Sequence, residues 1–101
     1  MIGKFEELAL LALVRAGPNA HAAKVYEVLE KTQSKLPAFA ALYTALDRMV
    51  AKKLVSETKD PSDKRAKRLF TITGEGNAAL REALNATQSI GLPAGWGVAH
   101  V

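Results

Sequence analysis

The residues best suited to chemistry in this sequence are the cations between Arg48 and Arg68. Eight basic side chains fall there (Arg48, Lys52, Lys53, Lys59, Lys64, Arg65, Lys67 and Arg68), against three acidic ones, Glu57, Asp60 and Asp63. The 101-residue chain has a net charge of +4, and this short segment holds all of the excess. Ammonium and guanidinium groups neutralise phosphates and release their counterions. A guanidinium can also make paired hydrogen bonds to the edge of guanine. The segment therefore reads as a surface for a polyanion, duplex DNA foremost. A solvated charged hairpin and a docking face for an acidic protein are the competing readings.

Other chemistry is poorly provided for. The chain has no cysteine, which excludes disulfides, thiolate zinc sites and thiol catalysis. His21 and His100 are far apart, and no carboxylate stands at a metal-ligand interval from either. No serine lies in a nucleophile-elbow context. Gly74-Glu75-Gly76 reads as strand-to-helix turn chemistry rather than a phosphate loop. Nothing here implies an enzyme, a metal or a cofactor. No apolar run approaches the roughly 18 residues that a membrane span needs. Glu6 and Glu7 stand where a signal peptide would be apolar. The expectation is a cytoplasmic protein without a membrane partner.

These cations must be held by a small scaffold. Residues 4–16 read as a helix in which Leu8 to Val14 are all apolar, too many for a single stripe. In so short a chain, the second covering surface is expected from another subunit. Gly17-Pro18-Asn19 makes a turn. Residues 22–33 read as a second helix, with Val25, Val28, Leu29 and Thr32 on one side and a Glu27–Lys31 pair on the other. After the break at Ser34 to Pro37, residues 38–53 read as a third helix. Leu42, Ala45, Leu46, Met49 and Val50 form its inner face. Tyr43, Thr44, Asp47, Arg48, Ala51 and Lys52 lie outward.

The period then changes. Residues 54–58 suit a strand, Asp60-Pro61-Ser62-Asp63 a turn, and residues 67–73 the returning strand of a hairpin. Residues 75–89 read as a last helix with Leu80, Ala83, Leu84 and Thr87 along one stripe. Residues from Ile90 onward have no period.

Three helices and a two-stranded hairpin, in that order, predict a mainly α winged helix-turn-helix fold. The third helix would lie in the major groove and the hairpin would be the wing, on the minor groove. The domain reading is 1–74 for DNA binding, 75–90 as a C-terminal dimerisation helix, and 91–101 as a mobile tail. Thr44 and Arg48 are the candidates for base edges, with Lys52 on the same face. Arg65 is the candidate for a narrow minor groove, oriented by Asp63. Lys64, Lys67 and Arg68 would hold flanking phosphates. A homodimer would pair Phe5, Leu8 and Leu11 of the first helix with Leu80 and Leu84 of the last across a two-fold axis. Trp96 reads as part of that mobile tail; the alternative is an anchor that docks on the partner or lines a pocket for a small apolar effector.

The residues also resemble a known family. Phe5-Glu6-Glu7-Leu8 with the apolar run after it, Leu42-Tyr43-Thr44-Ala45-Leu46-Asp47-Arg48-Met49 with Lys52-Lys53-Leu54-Val55, and Arg65-Ala66-Lys67-Arg68 with Phe70, Thr73 and Gly76 resemble the first helix, reading helix and wing of PadR-like transcriptional regulators. The likeness spans about residues 3–86. It implies a homodimeric DNA-binding regulator, usually a repressor, and a role for the Tyr43 hydroxyl on a DNA phosphate. The alternative for Tyr43 is packing, half-buried, on the second helix. Three positions depart from the family pattern. Ala38 offers no side-chain cap, a loss of about 1 kcal/mol. Lys53 stands where glycine is often found, and Asp63-Lys64 where paired glycines are common. The stretch Asp60 to Arg65 also resembles the wing of MarR-like regulators, the runner-up family. A winged-helix module for protein contacts is a further alternative.

Overall fold

The computed structural model of the chain describes residues 1–96; residues 97–101, with His100 and the end of the predicted tail, lie outside the described part. The elements are α1 (Lys4–Ala16), α2 (Ala22–Thr32), α3 (Phe39–Ala51), β1 (Val55–Lys59), β2 (Arg68–Ile72) and α4 (Gly74–Ile90). The fold is mainly helical with one antiparallel hairpin, as the sequence implies. Among the described residues, no helix is long and apolar enough to cross a membrane.

The apolar run of α1 has a different explanation from the one its composition suggests. α1 is the central helix and touches α2, α3, α4 and β2. The chain itself buries Ala9, Leu10, Ala12 and Leu13. Leu11 and Val14 keep 37% and 51% exposure, so two side chains, not a whole face, are left for another surface. The stripes of α2 and α4 are also shorter than predicted. Thr32 and Thr87 are exposed, and each hydroxyl donates to a carbonyl one turn back in its own helix.

α3 is three residues shorter than the periodicity predicts, one at its start and two at its end. Its end is a Schellman motif: the Leu54 N–H donates to the Met49 carbonyl at 2.8 Å and the Lys53 N–H to that of Val50 at 3.0 Å. The motif puts Lys53 at φ +64°, the left-handed region that glycine favours. At the other end, Ala38 is the N-cap and makes no side-chain cap bond. The inner face of α3 is as read from its spacing, with Leu42, Ala45, Leu46 and Met49 buried.

The wing pairs Val55 with Ile72 through to Lys59 with Arg68. A third backbone segment joins it. Ala20 exchanges both hydrogen bonds with Phe70, at 2.9 and 2.8 Å, and the Asn19 N–H donates to Thr71 Oγ1. The α1–α2 connection thus clamps the wing onto the helices, and Phe70 is completely buried.

α4 is seated by one residue pair. Thr73 Oγ1 accepts from the Gly76 N–H at 3.0 Å and donates to the Lys53 carbonyl at 2.7 Å. A Cβ on Gly76 would lie 2.0 Å from the Leu54 carbonyl oxygen, so only glycine lets the helix approach. Leu80 follows one turn later, 4% exposed, in the same core as α1. Its predicted place in a dimer interface is therefore corrected: it has almost no surface to offer, because the first half of α4 belongs to the body of the domain.

Candidate nucleic-acid interface

The solvent face of α3 carries Ala40, Thr44, Asp47, Arg48 and Ala51, all exposed. This is one stripe at helical spacing, set by the burial of Leu42, Leu46 and Met49 on the opposite side. Thr44 and Arg48 thus sit where the sequence predicts. They line a shallow groove with Gly3, Phe5 and Glu6 at the start of α1.

Lys52 caps the end of α3, and its ammonium is 3.2 Å from Glu6. The Glu6 carboxylate also accepts from the Gly3 N–H at 3.0 Å. The Gly3 hydrogen bond first, and then the Lys52 ammonium, hold the Glu6 carboxyl below the usual carboxylate range against the opposing effect of burial. Lys52 is committed to tying α3 to α1.

Arg68 is tied more firmly. Its Nε donates to Glu57 Oε2, and its Nη2 to Glu57 Oε1 at 2.8 Å and to Asp47 Oδ1. The guanidinium lies 4.9 Å from the Phe70 ring and 5.7 Å from that of Tyr43. These carboxylates raise its pKa further above the ordinary arginine value, and Arg68 in turn lowers that of Glu57. The prediction of a phosphate contact at Arg68 does not account for these partners. The group instead fastens the wing to α3. Glu57 faces Phe70 across the hairpin, so Glu57 and Arg68 are diagonal neighbours on one face.

Tyr43 is half-buried, edge-on to Phe39 at 5.3 Å and to Phe70 at 6.5 Å, while Phe39 meets Tyr26 of α2 at 5.1 Å. It therefore reaches α2 through Phe39. The aromatic chain runs from α2 across α3 to the wing.

The wing tip leaves its cations outward. Lys64, Arg65 and Lys67 are exposed, Arg65 at 77% of its side chain. Two aspartates shape the turn. Asp60 Oδ1 accepts from the Ser62 N–H and hydroxyl, and Asp63 Oδ1 from the Arg65 N–H at 2.8 Å. The Arg65 guanidinium lies 3.7 Å from the same Asp63 oxygen, so the predicted pairing of these two residues is present.

The structure thus brings Arg48 and Thr44 on α3 and Lys64, Arg65 and Lys67 on the wing to solvent; Lys52, exposed as well, pairs with Glu6, and the partly buried Arg68 pairs with Glu57 and Asp47. Sequence reasoning did not connect Asp47 and Glu57 with Arg68. The diagonal relation of residues 57 and 68 in a hairpin was the available signal. Of the predicted dimer residues, Leu11 is exposed, Phe5, Leu8 and Leu84 are half-buried against the core, and Leu80 is within it. Among the described residues, no cluster of His, Cys, Asp or Glu could hold a metal ion.

The model of the Transcriptional regulator PadR-like family matches residues 10–82, from the middle of α1 into α4. The chain belongs to the PadR-like family. A PadR family transcription regulator from hypervirulent Clostridium difficile has a similar structure, with a TM-score of 0.74 at 18% identity, over 87% of this chain and 91% of that one. A winged-helix DNA-binding protein from STIV gives 0.74 at 16% identity, over 90% and 95%. A MarR variant from E. coli complexed with operator DNA gives 0.64 at 27% identity, over 84% of this chain and 54% of that one. No curated protein matches the chain. As a PadR-like protein it is a DNA-binding winged-helix regulator of transcription and not an enzyme. In this PadR-like chain, three helices, α1 to α3, precede the β1–β2 hairpin, the element order of a winged helix.

Proposed function

We propose that this PadR-like regulator binds duplex DNA as a homodimer and acts as a repressor, with α3 in the major groove and the wing tip at the adjacent minor groove. The observation that carries the reading is the sorting of the cations. Arg48 on α3 and Lys64, Arg65 and Lys67 on the wing are exposed, while Arg68 fixes the two elements relative to each other and Lys52, exposed as well, ties α3 to α1. A helix of about 10–12 Å diameter suits a major groove about 12 Å wide. Arg65, steered by Asp63, is suited to the concentrated negative potential of a narrow A·T-rich minor groove, and Lys64 and Lys67 to phosphates.

Dimerisation is supported by apolar surface at two places. Leu8, Leu11, Val14 and Val28 border a groove of about 570 Å³ between α1 and α2. Ile90, the last residue of α4, and Leu92, just past it, are 88% and 72% exposed. An isologous contact in which each α4 end covers the other subunit's α1 would bury both.

Equilibrium binding to an A·T-flanked duplex and to its G·C-flanked counterpart tests the wing assignment. Arg65→Ala should weaken binding to the A·T duplex more, while Lys67→Ala should weaken both equally. Equal, uniform losses from the two substitutions would make Arg65 one more phosphate contact.

A further inference from the structure

We propose that Asp47 is a base-reading residue of α3, held in place by Arg68, and that it selects cytosine at one position of each half-site. The inference rests on the proposal that α3 lies in the major groove. Asp47 is on the solvent stripe of that helix, one turn after Thr44 and beside Arg48, with 57% of its side chain exposed. The rest of the stripe is Ala40 and Ala51, which offer methyl groups alone. Polar reading from the middle of this helix therefore falls to Thr44, Asp47 and Arg48.

The carboxylate is pre-oriented from the wing side. Oδ1 accepts from Arg68 Nη2, and Oδ2 has no partner among the described residues. Arg68 is itself fixed by both oxygens of Glu57 and by the rings of Phe70 and Tyr43, so it is a rigid support rather than a mobile side chain. This addresses the main objection to an acid on a DNA-binding face, its repulsion from phosphates. The guanidinium, shared between Asp47 and Glu57, offsets part of the charge of each carboxylate, and Lys59 on β1 adds a cation beside Glu57. Asp47 in turn leaves Arg68 unavailable for phosphates, which agrees with its partial burial.

An ionised carboxylate accepts hydrogen bonds and donates none. In the major groove it needs an amine. Cytosine presents its N4 amine there. Adenine sets an N7 acceptor beside its amine, and guanine and thymine present acceptors at the corresponding place. A carboxylate with one oxygen to spare thus favours cytosine and is repelled by guanine. Arg68 touches no base in this arrangement; it is a positioning residue for Asp47.

The test is selection of bound duplexes from a randomised pool by the full chain, followed by sequencing, for the wild type, Asp47→Ala and Asp47→Asn. The wild type should enrich cytosine at one position of each half-site. D47A should lose that preference, about tenfold in relative affinity, with every other position of the motif retained. D47N should exchange it for adenine, since a carboxamide pairs with the adenine amine and N7. An unchanged motif in D47A would overturn the proposal. So would an even weakening at all positions, which would make Asp47 a strut between helix and wing. A wild type that enriches no sequence at all would instead overturn the DNA-reading assignment on which the proposal rests.

Discussion

His21 Nε2 lies 3.3 Å from Asp60 Oδ2, so the residue that precedes α2 is joined to the mouth of the wing. The other oxygen of Asp60 caps the turn through Ser62. One carboxylate therefore shapes the wing and attaches it to the helices. It complements the Ala20–Phe70 backbone bridge at the base of the hairpin and the Arg68 network on the side of α3.

This attachment should be sensitive to acid. The Ser62 hydroxyl first, then the Ser62 N–H and His21, hold the Asp60 carboxyl below its ordinary value of 3.8. A depressed carboxylate pKa contributes stability that is present above the unfolded value and lost as the pH falls through the folded one. Asp60→Asn keeps an oxygen for Ser62 and removes the charge. Its unfolding temperature should lie below that of the wild type at about pH 6, and the gap should narrow as the pH falls below the ordinary carboxylate value of 3.8. A difference that persists unchanged in acid would mean that the charge plays no part.

Lys53→Gly should stabilise the fold. Lys53 pays for the Schellman ending of α3 with a φ of +64°. A left-handed conformation costs a non-glycine residue roughly 1–2 kcal/mol, partly cancelled by the greater chain entropy of glycine in the unfolded state, about 0.5–1 kcal/mol. Urea unfolding should show a gain of about 0.5–1 kcal/mol. A loss would show that the lysine side chain has a stabilising contact of its own.

Gly76→Ala should do the reverse. The added methyl would meet the Leu54 carbonyl oxygen, which is backbone and cannot turn aside. Overpacking at such a site costs on the order of 3 kcal/mol, enough to lower the melting temperature of a domain this size by 10 °C or more, on the order of 4–8 °C per kcal/mol. Calorimetry that found the variant as stable as the wild type would show that α4 shifts at little cost.

Leu11→Glu should convert the dimer to a folded monomer. Leu11 is 37% exposed and borders the α1–α2 groove, so a carboxylate there opposes association more than folding. Sedimentation of the wild type at low micromolar concentration should give about twice the 10.8 kDa chain mass, and the variant the chain mass itself. A monomeric wild type would remove the dimer from the account.

The sequence made the helices and the hairpin legible because each declares itself over a short distance. Leu42, Leu46 and Met49 recur at helical spacing, and residues 67–73 alternate. The Asp63–Arg65 pair was legible for the same reason, since two residues in a tight turn are close whatever the fold. Distant partners were not legible. Arg68 meets Asp47 and Glu57 only once the hairpin is paired and laid on α3, and as a free cation it looked like Lys67. The Ala20–Phe70 bridge is made by backbone groups and leaves no mark on residue type. Leu80 and Leu84 share a stripe, but burial falls off along it because α4 extends past the core.

The salt dependence of binding to a duplex that contains the selected site tests the central claim most directly. Arg48, Lys64, Arg65 and Lys67 are the exposed cations of the proposed interface in each subunit, so a dimer presents eight. Each neutralised phosphate contributes about −0.9 to the slope of log affinity against log salt, which gives a slope of roughly −7. Replacing Lys67 by alanine should make it less steep by roughly 2, one contact per subunit. A slope near zero in the wild type would contradict docking on DNA through α3 and the wing.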